Sequence, residues 1–596
     1  MGRLSLLFLV LAFAIPRVTV AEETLPVDGR AVFDAGKLSA FRFAGQGPKA
    51  IFSVVTVAGQ PFHQAFRVRV AAKHPRAWDV QILSPPTTVP LKKGEHVLAM
   101  LSVRCAESPD GAGAFAAMIQ ASGPKWIGIG STDVIAGKPW TRVYIHGQAA
   151  QDFGAGKYEM TLHLGSQVQT LEIGGIAMLN LGRNVDVRKL PCTPILYEGQ
   201  EPDAPWRAAA AARIEKHRKG DLSVRVVDKD GKPVAGAQVH VQMQRHAYGF
   251  GTFLEYNGIT GSGPDAERLR EWTLKMFNRA TTPIYWADWG WANPSIRRRY
   301  LACAKWAADN KLTTRGHCII YPGWEFLPSF VKPLAKDPPA LRKRLLEHVV
   351  EVTEATKQFK FSEYDVTNEL RVLTEITNIL GKDAVVEWFK VAREHVAAGT
   401  RLAINENTIL THGSVTSAEQ DNYAQWITYL NDRGQGPDVI GMQGHFGTSV
   451  TPPDVVVRIL DRFAKFGKPI QITEFDLPTV DEKGQGQYTR DFLTAVFSHP
   501  ATDAFTIWGF WEGMMWQPPG ALIRKDWSLK PNGQAWMDLV LKQWWTDTSA
   551  TTGPDGSCRT RGFLGDYKVT VTAGGKEKST FLHLTAPAAT AVLTLD

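Results

Sequence analysis

Cysteine is scarce: five residues in a chain of 596, namely Cys105, Cys192, Cys303, Cys318 and Cys558. Their wide spacing excludes a CxxC-type metal site and a disulfide-dense scaffold, and leaves open one bridge, Cys105–Cys192. Long apolar runs are also missing. The apolar stretch Leu4–Ile15 is too short to span a bilayer, and no later segment is longer and equally apolar, so no membrane span is expected. With Arg3 before it and the small-residue site Thr19-Val20-Ala21 after it, it reads as an export signal over residues 1–21. No Cys follows the run, which argues against a lipid anchor, and a secreted or periplasmic protein is expected. There is no dense basic block either. The net charge of +8 is spread along the chain, which reads as a solvated surface rather than a nucleic-acid interface; attraction to acidic polysaccharide is the sharper alternative. No internal repeat, nucleotide motif or metal motif is found. Gly128 and Gly130 have no βαβ unit after them, so they make no phosphate loop.

What the chain does have is 19 Trp and 53 Gly. Many Trp suit a protein that stacks flat ligands, sugars included, although Trp is also a core residue. The length favours about three or four domains. Residues 22–200 hold short alternating runs punctuated by Gly and Pro, such as QAFRVRVAA, HVLAMLSVRC and TRVYIHG. Many strands without a convincing helix predict a β-sandwich or jelly roll. Residues 201–245 contain WRAAAAARIEKHRKG, a linker helix by composition, and DLSVRVVDKDGKPVAGAQVHVQM, two strands joined as a hairpin through an Asp-Gly turn. The C-terminal segment, 546–596, is again β-rich. Neither β-rich piece can bury a core alone, so the two either pair into a small sandwich beside the middle domain or dock there separately.

Residues 246–545 change character: short apolar strands alternate with amphipathic helices. LRKRLLEHVVEV places apolar residues at helical spacing. Eight such βα units predict a (β/α)8 barrel, whose active sites lie at the C-terminal ends of the strands. The fourth strand, FSEYDVTN, ends in Asn368-Glu369; the seventh, PIQIT, runs into Glu474, with Asp476 two positions on. Both strand ends face the central cleft. Two carboxylates placed this way suit glycoside hydrolysis, one as acid/base and one as nucleophile, with no cofactor or metal required. A single strand-end Glu would by itself be a helix-terminal charge as readily as a catalyst.

YDVTNEL resembles the acid/base motif of glycoside hydrolase family 10, the endo-β-1,4-xylanase family, and ITEFD resembles its nucleophile motif. RGHCII at 315–320, GMQGHF at 441–446 and TIWGFWEGMMW are similar to its third-, sixth- and eighth-strand motifs, in order. The resemblance implies a retaining hydrolase of xylan or a related decorated β-glycan, with Glu369 as general acid/base and Glu474 as nucleophile. It further implies that Asn368 bonds the 2-hydroxyl of the −1 sugar, and that His445 bonds Glu474 and the supporting Asp476. His317, Gln443, Trp508 and Trp516 would line the same subsite. The first domain is similar to the jelly-roll carbohydrate-binding modules attached to glycanases, with Trp126 and Trp140 as sugar platforms or core residues.

Departures fall on the sugar-reading surface. Where the family presents Pro-Glu-Asn-Glu-Met-Lys-Trp after its second strand, this chain has Pro283 and Trp289 in place but Ile284, Tyr285 and Asp288 at three polar contact positions. Tyr321-Pro322 replaces Trp-His after the third strand, and INENT stands where Asn-Asp is common. Tyr285 and Trp286 are expected to offer stacking instead. Another retaining β-glycanase of the same barrel clan, or a non-catalytic carbohydrate-binding protein, are the competing classes.

Overall fold

The computed structural model describes residues 27–595 apart from 48, 110, 124, 125, 412–414, 448 and 586. The expected signal peptide lies outside the described residues. The chain divides into two compact units, Met1–Thr193 and Pro194–Asp596.

The first unit is all-β. One sheet contains Arg30–Ala31, Ala50–Thr56, Gln64–Val70, His96–Glu107, Thr141–Gln148 and Gln169–Gly182; the other contains Arg42–Ala44, Gln81–Leu83, Gly113–Ala121, Gly128–Ala136 and Tyr158–His163. Alternation in Gln64–Val70 buries Phe66, Val68 and Val70 and exposes Arg67 and Arg69, as a sheet with one apolar face requires. Gly113–Ala121 and Gly128–Ala136 were not foreseen, because their Ala, Gly and Ser content carries little β-signal and cross-strand pairing decides their state. A Cβ on Gly130 would lie 2.1 Å from the His146 carbonyl oxygen, so this glycine permits close backbone approach. The Cys105–Cys192 bridge is not formed: Cys105 is a buried free thiol that donates to the Glu107 carbonyl at 3.4 Å. Trp126 is 61% exposed. Trp140 is half-buried, with Phe62 edge-on at 5.2 Å and the Arg104 guanidinium 5.2 Å above its ring.

The second unit is built around a closed barrel of eight parallel strands. They are β1 (Gly249–Phe253), β2 (Arg279–Pro283), β3 (Thr313–His317), β4 (Glu363–Asn368), β5 (Arg401–Glu406), β6 (Val439–His445), β7 (Ile470–Asp476) and β8 (Thr502–Ile507). Each overlaps a run expected from the sequence, the last by three residues only: FTIWGF begins at Phe505, whereas β8 ends at Ile507. The helix Pro338–Thr356 shows why the alternation is legible: Leu341, Leu345, Val349 and Val352 form its buried stripe, and Asp337 caps the Ala340 amide at 3.2 Å.

The barrel interior departs from the usual apolar filling. Arg279 pairs with Glu363, Arg315 with Glu363 and Asp365, and Arg401 with Glu363 and Asp503. Gln471 links Glu363 to Asp503 at 3.2 and 2.8 Å. Three cations thus meet three carboxylates, which is how such charges tolerate burial. Burial, with Arg315 close by, nevertheless depresses the Arg279 guanidinium to about 9.

Helix Pro205–His217 packs against helix Glu482–Ser498, fixed by the Arg207–Asp491 ion pair at 2.6 Å and by Ala210 against Ala495. The expected hairpin is not made. Lys219–Asp228 joins a three-stranded sheet with Ser557–Phe563 and Ala588–Leu595, whereas Gln238–His246 joins a four-stranded sheet with Asp547–Thr551, Gly565–Ala573 and Lys576–Leu584. A tight turn at Gly231 only returns the chain to Val234, whose amide bonds Val226, before it crosses to the second sheet. The two flanking segments pair with each other, as neither could bury its apolar face alone.

Candidate active site

Strand alternation alone would not bring the polar side chains together. In β7 the pairing with β6 jumps, Met442 standing opposite Ile472 and Gln443 opposite Glu474. That irregularity lets the consecutive residues Thr473 and Glu474 both reach Asn405, at 2.8 and 2.6 Å. A matching jump between Asp365 and Thr367 in β4 sets Asn368 level with Asn405 on β5. Glu369 then adopts the left-handed region, φ 55°, with its amide donating to the Asn405 carbonyl at 3.0 Å. This turn places Glu369 beside Asn368 in the cleft, in a conformation uncommon for a non-glycine residue.

The two glutamates share one web of amide donors but have different surroundings. Asn405 Nδ2 donates to Glu474 Oε1 at 2.6 Å and to Asn368 Oδ1 at 2.9 Å. Gln443 Nε2 donates to Glu369 Oε1 at 2.9 Å, and Asn368 Nδ2 to the same oxygen at 3.4 Å. Glu474 is 3% exposed; Glu369 is half-buried. His445 donates from Nε2 to Glu474 at 3.1 Å and from Nδ1 to Asp476 at 2.9 Å. Burial opposes its charge, but the attraction of Asp476, then the hydrogen bonds to both carboxylates, hold it at about 10. An imidazolium is therefore shared between Asp476 and Glu474. Trp516, 57% exposed, fixes the far side by donating to Asp476 at 2.8 Å.

His317 is buried, with Nε2 3.8 Å from Glu474 and Nδ1 2.8 Å from Asp365. Burial works against its charge, yet Glu474 and then Asp365 raise its pKa. Asp365 itself is pushed up by burial and drawn down further by Arg315, for a net lowering. Trp508 stands edge-on to His317 at 5.0 Å and to His445 at 6.2 Å. Tyr285 is edge-on to His317 at 5.3 Å. Thus Glu369, Glu474, Asn368, Gln443, His445, Asp476, His317, Trp508, Trp516 and Tyr285 are assembled at one end of the barrel. Trp286 is not: it is 2% exposed and stacked on His348 at 3.8 Å, so its ring face is already covered.

Sequence reasoning gave no role to four members, although Tyr321 and the INENT run are noted as departures. Asn405 bridges the two halves of the web, and its signal was a polar residue closing the apolar run RLAIN. Asp365 was readable from the period-two spacing of Glu363 and Asp365. Glu406, held by the amides of Arg371 at 3.1 Å and Asn407 at 3.0 Å, is pushed up to about 7 by burial. Tyr321 stacks on Phe326 at 3.7 Å, and burial followed by the charge of Glu369 raises its phenol. Among the described residues no cluster of three His, Cys, Asp or Glu side chains is arranged to hold a metal ion.

A closed eight-stranded barrel with carboxylates at the ends of β4 and β7, joined by amides and one imidazolium, defines the structural class. Residues 298–532, about two fifths of the chain and a span that holds β3 to β8, match the glycosyl hydrolase family 10 model. The anti-sigma-I factor RsgI6 of Acetivibrio thermocellus is 30% identical over 382 residues, covering 63% of this chain and 47% of that protein. Endo-1,4-beta-xylanase 1 of Arabidopsis thaliana is 27% identical over 375 residues, covering 62% of this chain and 38% of that protein. The chain thus spans less than half the length of these two relatives. A solved structure of Clostridium thermocellum endo-1,4-beta-D-xylanase 10B, complexed with xylohexaose, aligns over 87% of this chain and 99% of its own, with TM-score 0.42 and 15% identity.

Proposed function

We propose that this protein is a secreted retaining glycoside hydrolase acting on xylan or a related decorated β-glycan. The observation that carries the reading is the unequal treatment of two carboxylates within one hydrogen-bonded web. Glu474 is buried against a cation and an amide donor; Glu369 sits half-buried on amide donors at the cleft surface. Glu474 attacks the anomeric carbon, while Glu369 gives its proton to the departing glycosidic oxygen. In the second step Glu369 takes a proton from water, which displaces Glu474 from the glycosyl-enzyme. His445 orients Glu474 and compensates its charge, and Asn368 is placed to bond the 2-hydroxyl of the reacting sugar. None of these steps calls for a cofactor. The glycosyl hydrolase family 10 match and relatives named as endo-1,4-beta-xylanases support xylan as the first substrate to try. Polysaccharide recognition by the first unit, through the exposed Trp126, belongs to the same reading.

The test is hydrolysis of a panel of β-glycans by wild type, Glu369→Ala and Glu474→Ala, with the anomer formed first read by NMR. Xylo-oligosaccharides released with a β-anomer first, and both variants reduced by at least about a thousandfold, are expected. An α-anomer first rules out retention; an active Glu474→Ala variant rules out its role as nucleophile. Glycan bound but never cleaved would make this a carbohydrate-binding barrel.

A further inference from the structure

An arc of aromatic rings runs from the surroundings of Glu474 to those of Glu369, and most of it takes no part in the chemistry above. Tyr285 lies beside His317, Trp289 follows it at 5.4 Å, and Phe326 lies 6.4 Å beyond. Tyr321 stacks on Phe326 at 3.7 Å and 16° and ends the arc within reach of the charge of Glu369. Trp289 is 49% exposed, whereas Ile284 and Trp286 on the same loop are buried. A flat indole is therefore left uncovered beside the cleft.

Resting on the hydrolase reading, we propose that this arc is a subsite for a sugar ring carrying O-substituents, acetyl esters being the simplest. The reason lies in which hydrogen-bonding groups it holds. A site that reads a hydroxyl with a buried acceptor leaves that acceptor unpaired when the hydroxyl is capped, and so rejects the substituted sugar. The four rings carry two phenols and one indole N–H. The Trp289 N–H is a donor only, and the Tyr285 and Tyr321 phenols can donate. An ester or ether oxygen satisfies a donor as a hydroxyl does. The adjoining carboxylates do not alter this. Asp288 is exposed and accepts from the Ser329 amide at 3.0 Å, and Glu325 is exposed, so water replaces a lost hydroxyl at either. Glu255, whose charge reaches Tyr285, lines an apolar cavity with Phe253, Leu269, Phe510 and Trp511. Ring faces meet the C–H face of a pyranose whether or not its oxygens are acylated.

The test titrates full-length Glu369→Gln protein, with unchanged near-UV circular dichroism, with xylo-oligosaccharides either natively O-acetylated or saponified. The two dissociation constants are expected to agree within about threefold. Trp289→Ala in this background should weaken both about tenfold, as expected when roughly 50 Å² of ring face stays uncovered, and Trp289→Phe should recover most of the loss. Saponified sugar binding more than about tenfold tighter than acetylated sugar would overturn the proposal. So would unchanged binding in Trp289→Ala, or no binding of either sugar. Binding as expected, with no cleavage by wild type, would support the subsite and sink the hydrolase reading alone.

Discussion

Replacing His445 by glutamine keeps a hydrogen-bonding side chain between Asp476 and Glu474 but removes the positive charge they share. His445 stands at about 10 against an ordinary value of 6.5. At about 1.4 kcal/mol per unit this corresponds to roughly 5 kcal/mol favouring the charged form, comparable to the ~3–5 kcal/mol lost when one partner of a buried ion pair is deleted. The folded value lies above the unfolded one, so the stabilisation is complete below pH 6.5 and is lost as the pH rises through about 10. His445→Gln should therefore cost about 3–5 kcal/mol near neutral pH, and the deficit should shrink toward zero above about pH 10. Urea denaturation of both proteins at a series of pH values, followed by tryptophan fluorescence, measures the difference and cancels ionisations they share. A deficit that stays constant from about pH 6 to 10.5 would refute the charge-sharing account and make His445 a neutral hydrogen-bonding residue.

Three further outcomes are expected. Asp365→Asn removes the carboxylate shared by Arg315 and His317, so kcat should fall about tenfold or more and stability by about 3–5 kcal/mol; unchanged kcat would detach His317 from the chemistry. Glu255 is pushed up to about 7 by burial, above its ordinary 4.5. The raised value means that ionisation penalises the folded state: the cost is absent below pH 4.5 and complete above about 7, reaching about 3 kcal/mol. Glu255→Gln should then be more stable than wild type at about pH 8 and equal to it near pH 4, and equal stability at both would contradict the burial argument. Trp126→Ala should weaken adsorption to insoluble xylan several-fold if the first unit presents a sugar platform, and unchanged adsorption would show that this ring is not one.

The barrel was legible because short strand-like runs, most of them apolar, alternate with helices that carry an apolar stripe, so two periodicities alternate along the chain. The two glutamates were legible because each follows such a run directly. Irregular pairing was not. Nothing in PIQITEFD shows that Thr473 and Glu474 both reach Asn405, since that depends on a jump in register against β6. The bridging role of Asn405 stayed hidden for the same reason: its partners lie 37 and 69 positions away, on β4 and β7. The hairpin expected at 221–243 failed differently. Its turn is real, but each strand finds two partners elsewhere, Lys219–Asp228 pairing with both Ser557–Phe563 and Ala588–Leu595. Local turn chemistry cannot weigh partners so distant in sequence. Trp286 misled because an aromatic in a loop near a cleft is as ready to bury its face as to offer it, and here His348 took that face.

The position of the departures on β2 follows from how the site is held. Among the described residues, the side-chain hydrogen bonds that fix Glu369, Glu474, Asn368 and His445 come from β4, β5, β6 and β7. The segment after β2 contributes to that frame through its backbone, the Ile284 amide donating to the His317 carbonyl at 2.8 Å. Main-chain bonding of this kind survives a change of side chain. The residues at 284, 285 and 288 can therefore vary without disturbing the carboxylates; on the proposed hydrolase reading, such variation changes the surface offered to the next sugar and leaves the reacting groups anchored in the opposite strands. Loop variation on a fixed barrel has that consequence wherever the reacting groups and the reading groups come from different strands. In this chain positions 285 and 286 are aromatic, and the side-chain hydrogen bonds to Glu369 and Glu474 do not involve them.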